Sequence, residues 1–252
     1  MKKYLLPLGA LLASTLFISA QPGPMGGGGL GGSPAIVKFF GSNNSFSATC
    51  VMKMADKSGR EVMAGEMKYA MLDGNVRVDI DMAKMKSAQI PAAAMSQMKQ
   101  MGMAELTSIM RQDLSAAYLI YPGLTSYAKM PLRGADAAST NKSPKVEFTK
   151  LGEETIDGHP CVKNKAVATD DSGAKHEATL WNATDLKDFP VQIESTEQGN
   201  TALMTFKNIS TAKPDAKLFE PPAGFTAYDD VQQMMMTSMQ KMMGSGHGMP
   251  PQ

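Results

Sequence analysis

The chain has 252 residues with 25 basic and 24 acidic side chains, and 23 of its residues are methionine. A balance this close to neutral carries no electrostatic footprint for DNA or RNA, so nucleic acid is excluded as a partner. The length suits one domain with a sizeable core, and all-β domains often reach this size.

Residues 1–20 read as a secretion signal. Lys2 and Lys3 precede a charge-free, Leu/Ala-rich core from Tyr4 to Ile18, and Ala20 offers a small-residue cleavage position. That core fits a signal h-region better than a membrane span of roughly 20 residues. The expected product is exported, periplasmic before secreted, and has no stable membrane span after cleavage. The signal takes two lysines with it, leaving 23 basic residues against 24 acidic ones. Residues 21–35, QPGPMGGGGLGGSPA, are too rich in glycine and proline to pack and read as a flexible leader.

The domain is expected over 36–228. In FSATCVMKM, Phe46, Ala48, Cys50, Met52 and Met54 share one face. Met63, Met67, Tyr69 and Met71 do the same in EVMAGEMKYAM, and Val76, Val78, Ile80 and Met82 in NVRVDIDM. Successive strand residues point to opposite faces, so each stretch predicts a half-buried antiparallel strand. Asp73-Gly74 between two such runs predicts a tight hairpin.

The rhythm changes between about 84 and 112. Met95, Met98, Gly102, Leu106 and Ile109 recur at three- and four-residue steps, flanked by Met103 and Met110. This spacing predicts an amphipathic helix. Strands resume over about 116–121, 124–130, 145–155, 160–169, 175–182, 189–196 and 201–210, with Asp157-Gly158, Asp171 to Gly173 and Gly199-Asn200 as turns. The proline-bounded KPDAKLFEPPAGF cannot join a central strand. Ten strands interrupted by one helix exclude a doubly wound α/β enzyme, which alternates the two. The fold class expected is mainly β with helices (α+β): a curved antiparallel half-barrel sheet with a helix packed on its concave face. A closed barrel or a sandwich with a helical insertion is the alternative.

Three segments carry a family resemblance: KLGEETIDGHPCVKNKAV, LWNATDLKDFPVQIES and TFKNISTAKPDAKLFEPPAGFTAY. In order they resemble a strand-turn-strand, a tryptophan-bearing strand leading through a Leu-x-x-x-Pro turn, and the closing run of the LolA/LolB-like superfamily, the half-barrel lipoprotein carriers and their exported relatives. The resemblance covers about 145–228. It implies an unclosed antiparallel half-barrel with helices in its mouth and, by analogy with the better-known members, an apolar cavity for acyl chains. The glycine-rich leader, the methionine load and the long tail depart from the carriers, and no carrier-specific residue maps onto this chain.

Catalysis has no visible home. The three histidines are His159, His176 and His247, and no H-E-x-x-H, Walker, G-x-S-x-G or G-x-G-x-x-G motif occurs. Asp79 and Asp81 share a strand face, which reads as solvated. No cofactor is implied.

Two cysteines 111 residues apart, Cys50 and Cys161, favour a disulfide in an oxidising compartment, with two buried free thiols as the alternative. Methionine is flexible and polarisable and suits surfaces that adapt to variable apolar ligands. Met52, Met67, Val78, Ile80, Met95, Met98, Met103, Leu106, Ile109 and Met110 are therefore candidates to line an apolar cavity for a lipid or lipidated protein. The alternative is a filled core with no ligand, as in a structural or interaction module of the envelope.

Residues 229–252 contain VQQMMMTSMQKMMGSGHGMPPQ. Val231, Met235, Met239 and Met242, widened by Met236 and Met243, form a helical stripe ending at Gly244, with a disordered end beyond. Docking of that stripe competes with a copper reading. Thioethers select Cu(I), and Met239, Met242, Met243, His247 and Met249 are its candidate ligands.

Overall fold

The structure is a computed structural model that describes residues 34–88, 90–132, 146–169, 173, 175–197 and 199–245, with side chains from 36 to 241 of these. The signal, most of the leader, His247 and Met249 lie outside the described residues.

A 13-stranded sheet runs in the order β13-β7-β6-β5-β3-β2-β1-β12-β11-β10-β9-β8, with the two-residue β4 against β2. Two meanders build it. The first contains β1 (Ser45–Ala55), β2 (Glu61–Leu72), β3 (Asn75–Asp81), β4 (Lys86–Ser87), β5 (Glu105–Arg111), β6 (Ala116–Tyr121) and β7 (Ser126–Pro131). The second contains β8 (Val146–Ile156), β9 (His159–Thr169), β10 (Lys175–Ala183), β11 (Phe189–Glu197) and β12 (Asn200–Ser210). They join where β12 pairs antiparallel with β1. The short β13 (Thr226–Tyr228) adds in parallel to β7. Among the described residues β13 and β8 end the sheet without pairing with each other, so it is an open half-barrel rather than the closed-barrel alternative.

Local chemistry sets the turns. Asp73 (φ 50°) with Gly74 (φ 84°), and Asp157 (φ 49°) with Gly158 (φ 88°), place two positive-φ residues in tandem. That geometry matches the twist of a two-residue hairpin. A second device recurs three times. The tight 3-10 turns Gln112–Leu114, Pro122–Leu124 and Thr184–Leu186 are each followed by a left-handed residue, Ser115, Thr125 and Lys187.

The expected strand faces are buried as read. Phe46, Cys50, Met52, Met67, Tyr69, Met71, Val76, Val78 and Ile80 belong to one core on the inner face. A second, smaller core on the other face groups Ala70, Leu72, Ile109, Ala116, Tyr118 and Ile120 under Phe219. Arg77 and Arg111 hold the Phe219 turn there by donating to the carbonyls of Leu218 (2.8 Å) and Phe219 (3.2 Å).

The long internal helix is corrected by the structure. α2 spans only Ala92–Gln100, and residues 105–111 form β5. Gly102 (φ 71°) stops the helix: its N–H donates to the Lys99 carbonyl (3.1 Å) and that of Met103 to the Met98 carbonyl (2.8 Å). Those two bonds define a Schellman ending. β5 imitated a helix because both its faces are covered, with Leu106 and Met110 in the inner core and Ile109 in the outer one.

α2 meets the inner core through half-buried Met95, and none of its residues is fully buried. The N-terminal α1 (Pro34–Phe39) and the residue after it supply Phe39 and Phe40, 5% and 2% exposed. Phe40 sits among Phe46 (4.8 Å between centroids), Phe206 (5.3 Å) and Phe189 (5.5 Å), while Phe46 stacks on Tyr69 at 5.7 Å. Such tilted and offset contacts suit aromatic quadrupoles.

Candidate apolar binding site

The inner face changes character along β1. Its first half lies under the aromatic cluster, and its second half leads into methionine. One cross-strand row reads Phe206, Cys50, Met67, Ile80, Leu106 over β12, β1, β2, β3 and β5. The next reads Leu180, Ile193, Met204, Met52, Gly65 over β10, β11, β12, β1 and β2. Directly opposed residues lie about 5 Å apart at Cβ, so each row is one continuous apolar surface.

Gly65 interrupts the second row because another residue fills its place. A Cβ built on it would collide with the thioether sulfur of Met85 and lie 3.3 Å from the Met85 Cα. Met85 follows the 3-10 turn Met82–Lys84, which Asp81 caps by accepting from the Ala83 N–H (3.0 Å). Lys84 pairs with Asp81 at 3.0 Å and its hydrogen bond lowers the Asp81 pKa.

Above Met85 a cavity of about 430 Å³ opens between this turn, β4 and α2. Ala92, Met95, Ser96 and Lys99, spaced as one helix face, form its α2 wall, and Met85 and Ile90 contribute apolar surface opposite. Of the ten residues expected to line a cavity, Met95 alone borders this one. Met52, Met67, Val78, Ile80, Leu106 and Met110 are buried in the core beneath it, and Met98 and Met103 are half-buried. Ile109 faces the opposite core and leaves the candidate set. Sequence reasoning missed Met85, Ile90 and Met204. The available signal was Gly65 inside a strand, which marks close approach of another group.

The expected disulfide is overturned: both cysteines are buried and free. Cys50 is on β1 and Cys161 on β9, four strand spacings or roughly 19 Å along the sheet, whereas bridged Cα atoms lie about 4.4–6.8 Å apart. Burial pushes the Cys50 thiol up to about 12. Burial also raises Cys161, whose Sγ donates to the His159 carbonyl at 3.3 Å. Neither is poised as a thiolate nucleophile. Burial, then the neighbouring Cys50, raises the Tyr69 phenol.

The remaining polar candidates are structurally engaged. Asp79 accepts from Arg77 Nη2 (2.7 Å) and Thr107 Oγ1 (2.6 Å), beside an outer-face groove of about 550 Å³. His159 Nδ1 lies 2.8 Å from Asp185 Oδ2, and Trp181 Nε1 donates to Glu154 at 2.8 Å.

The tail helix docks by a different face from the one expected. α3 (Val231–Ser245) is capped by Asp230, whose carboxylate accepts from the Gln233 N–H at 2.6 Å. Met234 is buried at 0% exposure and Ser238 at 9%, while Met236 and Met239 stand out at 55% and 49%. The small Ser238 lets the helix approach β7, and Met239 turns to solvent. Met239 is the one member of the copper set whose side chain is described.

A family model described as a domain of unknown function, DUF4412, matches residues 48–189, more than half of the chain. The chain belongs to the DUF4412 family. The matched region runs from β1 to the first residue of β11 and stops short of β12, the strand that seats both rows of the inner face. No curated protein matches the sequence.

This DUF4412 chain is similar in fold to lipoprotein LppX of Mycobacterium tuberculosis, at 9% identity over 72% of this chain and 96% of that one, with a TM-score of 0.40. It is similar to the Pseudomonas aeruginosa MucA/MucB complex at 13% identity, covering 78% of this chain and 63% of that one, with a TM-score of 0.37. A LolA superfamily protein from Nitrosomonas europaea matches at 11% identity over 71% and 90%, with a TM-score of 0.32.

Proposed function

We propose that this protein is an exported, non-catalytic binding protein that takes an apolar chain, from a lipid or a lipidated partner, into the cavity beneath α2. One observation carries the reading. α2 presents Met95 across a cavity whose opposite wall holds Met85 and Ile90, yet the helix buries none of its own residues. A helix that covers apolar surface while leaving volume beneath it is suited to admit an apolar guest. Met85 and Met95 are unbranched and adapt to guests of different shape.

Export rests on the signal read in residues 1–20, and the periplasm is the compartment proposed. No helix among the described residues is long and apolar enough to cross a membrane.

Native mass spectrometry of protein purified from its own cell envelope tests the function. The expected result is a population carrying additional mass that organic extraction removes and identifies as lipid. Protein that remains free of added mass, and that gains none when offered envelope lipids, would count against the reading.

A further inference from the structure

We infer that the guest is an amphiphile with an anionic head group, held between Lys99 and Lys241. This deepens the proposed function and rests on it, because the head-group site adjoins the apolar cavity. A second cavity of about 330 Å³ lies at the C-terminal end of α2, where that helix meets the Pro122–Leu124 turn and α3. Lys99 lines both cavities. The residues bordering the apolar cavity along α2, from Ala92 to Lys99, span roughly 10 Å of helix and lead to the second cavity's edge.

The charged side chains around the second cavity are of one sign, beside apolar surface from Met101 and Leu124. Lys99 and Lys241 line it together with Gln100, Ser126 and Ser238, and its lining holds no aspartate or glutamate. Two ammonium groups in a lining without a carboxylate favour an anion, through charge-assisted hydrogen bonds stronger than neutral ones, with Asp81 outside the lining as a carboxylate that Lys99 acts on. The Gln100 amide and Ser238 hydroxyl add neutral donors. Ser126 donates its own hydroxyl to the Leu124 carbonyl at 2.9 Å, so it shapes the wall and leaves the anion to the others.

The helix ending offers little opposition. The C-terminus of α2 carries about half a negative charge against two full positive ones. Its last carbonyls are already engaged: Gln97 accepts from Met101 (3.0 Å), Met98 from Met103 (2.8 Å) and Lys99 from Gly102 (3.1 Å). The site is also held in shape, because the Gly102 and Gly123 backbones touch, leaving no room for a Cβ on either. An acyl chain under α2 and a carboxylate or phosphate over Gly102 form one continuous ligand.

Isothermal titration of the full chain with dodecanoate, dodecanol and inorganic phosphate, at fixed ionic strength, tests this. Dodecanoate is expected to bind about tenfold more tightly than dodecanol, as one charge-assisted contact provides. The Lys241→Gln variant, changed at an exposed position that does not line the cavity beneath α2, is expected to reduce that preference severalfold and leave dodecanol binding unchanged. Equal affinity for the acid and the alcohol would overturn the head-group site while leaving the apolar-chain reading intact. Failure of both to bind would remove that reading and this one with it. Phosphate alone binding as tightly as dodecanoate would overturn the amphiphile assignment in favour of a free anion.

Discussion

The thioether sulfur of Met85 occupies the space that a Cβ on Gly65 would take. That contact ties the turn before β4 to the floor of the sheet, and it fixes where the filled core ends and the open cavity begins. Gly65→Ala forces Met85 out of its seat. A loss of about 1–3 kcal/mol is expected, as for overpacking in general. In the Gly65→Ala/Met85→Ala double variant the collision is gone, so its stability loss is expected to be smaller than the sum of the two single losses. Urea unfolding of all four proteins measures this coupling.

Phe40 anchors the N-terminal segment in the aromatic cluster, with four aromatic partners between 4.8 and 6.0 Å. Phe40→Ala is expected to cost about 3–5 kcal/mol. Removing a side chain of α2, which is exposed or half-buried throughout, is expected to cost less; Met98→Ala is the comparison. Chemical denaturation of the two variants side by side distinguishes a core closed by α1 from one closed by α2.

Strand faces were legible in the sequence wherever one face meets the core and the other meets solvent, as in Val76, Val78 and Ile80 opposed by Arg77, Asp79 and Asp81. β5 escaped that reading because Leu106 and Met110 face one core and Ile109 the other, which spaces its apolar residues like a helix. Gly102, read as part of the helical stripe, is its stop. α3 shows a different limit. The sequence contains a methionine stripe, but which face docks depends on the partner surface, and small Ser238 fits against β7 where Met239 does not. The cavity itself was visible only as a general excess of methionine, since Met85 reaches Gly65 through a turn that no periodicity marks.

The two thiols give a direct chemical readout. Neither cysteine is bridged and both are buried, Cys50 at 0% and Cys161 at 3% exposure. Native protein at pH 8 is expected to react with no thiol reagent on the timescale of minutes, and protein in denaturant to titrate two thiols. Zero thiols in denaturant without reductant would restore the disulfide.

Acid sensitivity is expected from the clamp on the outer core. Arg111 lowers the Asp113 pKa chiefly by hydrogen bonding, with Nη2 2.6 Å from the carboxylate, and also holds the Phe219 carbonyl. A carboxylate with a lowered folded pKa contributes stability above its unfolded value, about 3.9, and loses it as pH falls through the folded value. Asp113 is half exposed, so its contribution is modest. Asp113→Asn is expected to lower the unfolding midpoint at pH 7 and to leave it nearly unchanged at pH 2. Thermal unfolding of both proteins at the two pH values checks the sign.

The central claim is that an apolar chain lies in the cavity beneath α2, and filling that cavity tests it most directly. Ala92 lines the cavity from an exposed position on α2, so a tryptophan there projects into the volume without disturbing the core. The measurement is the binding of a naturally fluorescent polyunsaturated fatty acid to the unmodified chain and to Ala92→Trp. Saturable one-to-one binding by the unmodified chain is expected, with a loss of at least tenfold in affinity for Ala92→Trp and an unchanged unfolding midpoint. Undiminished binding by a folded Ala92→Trp protein, or no saturable binding by the unmodified chain, would contradict it.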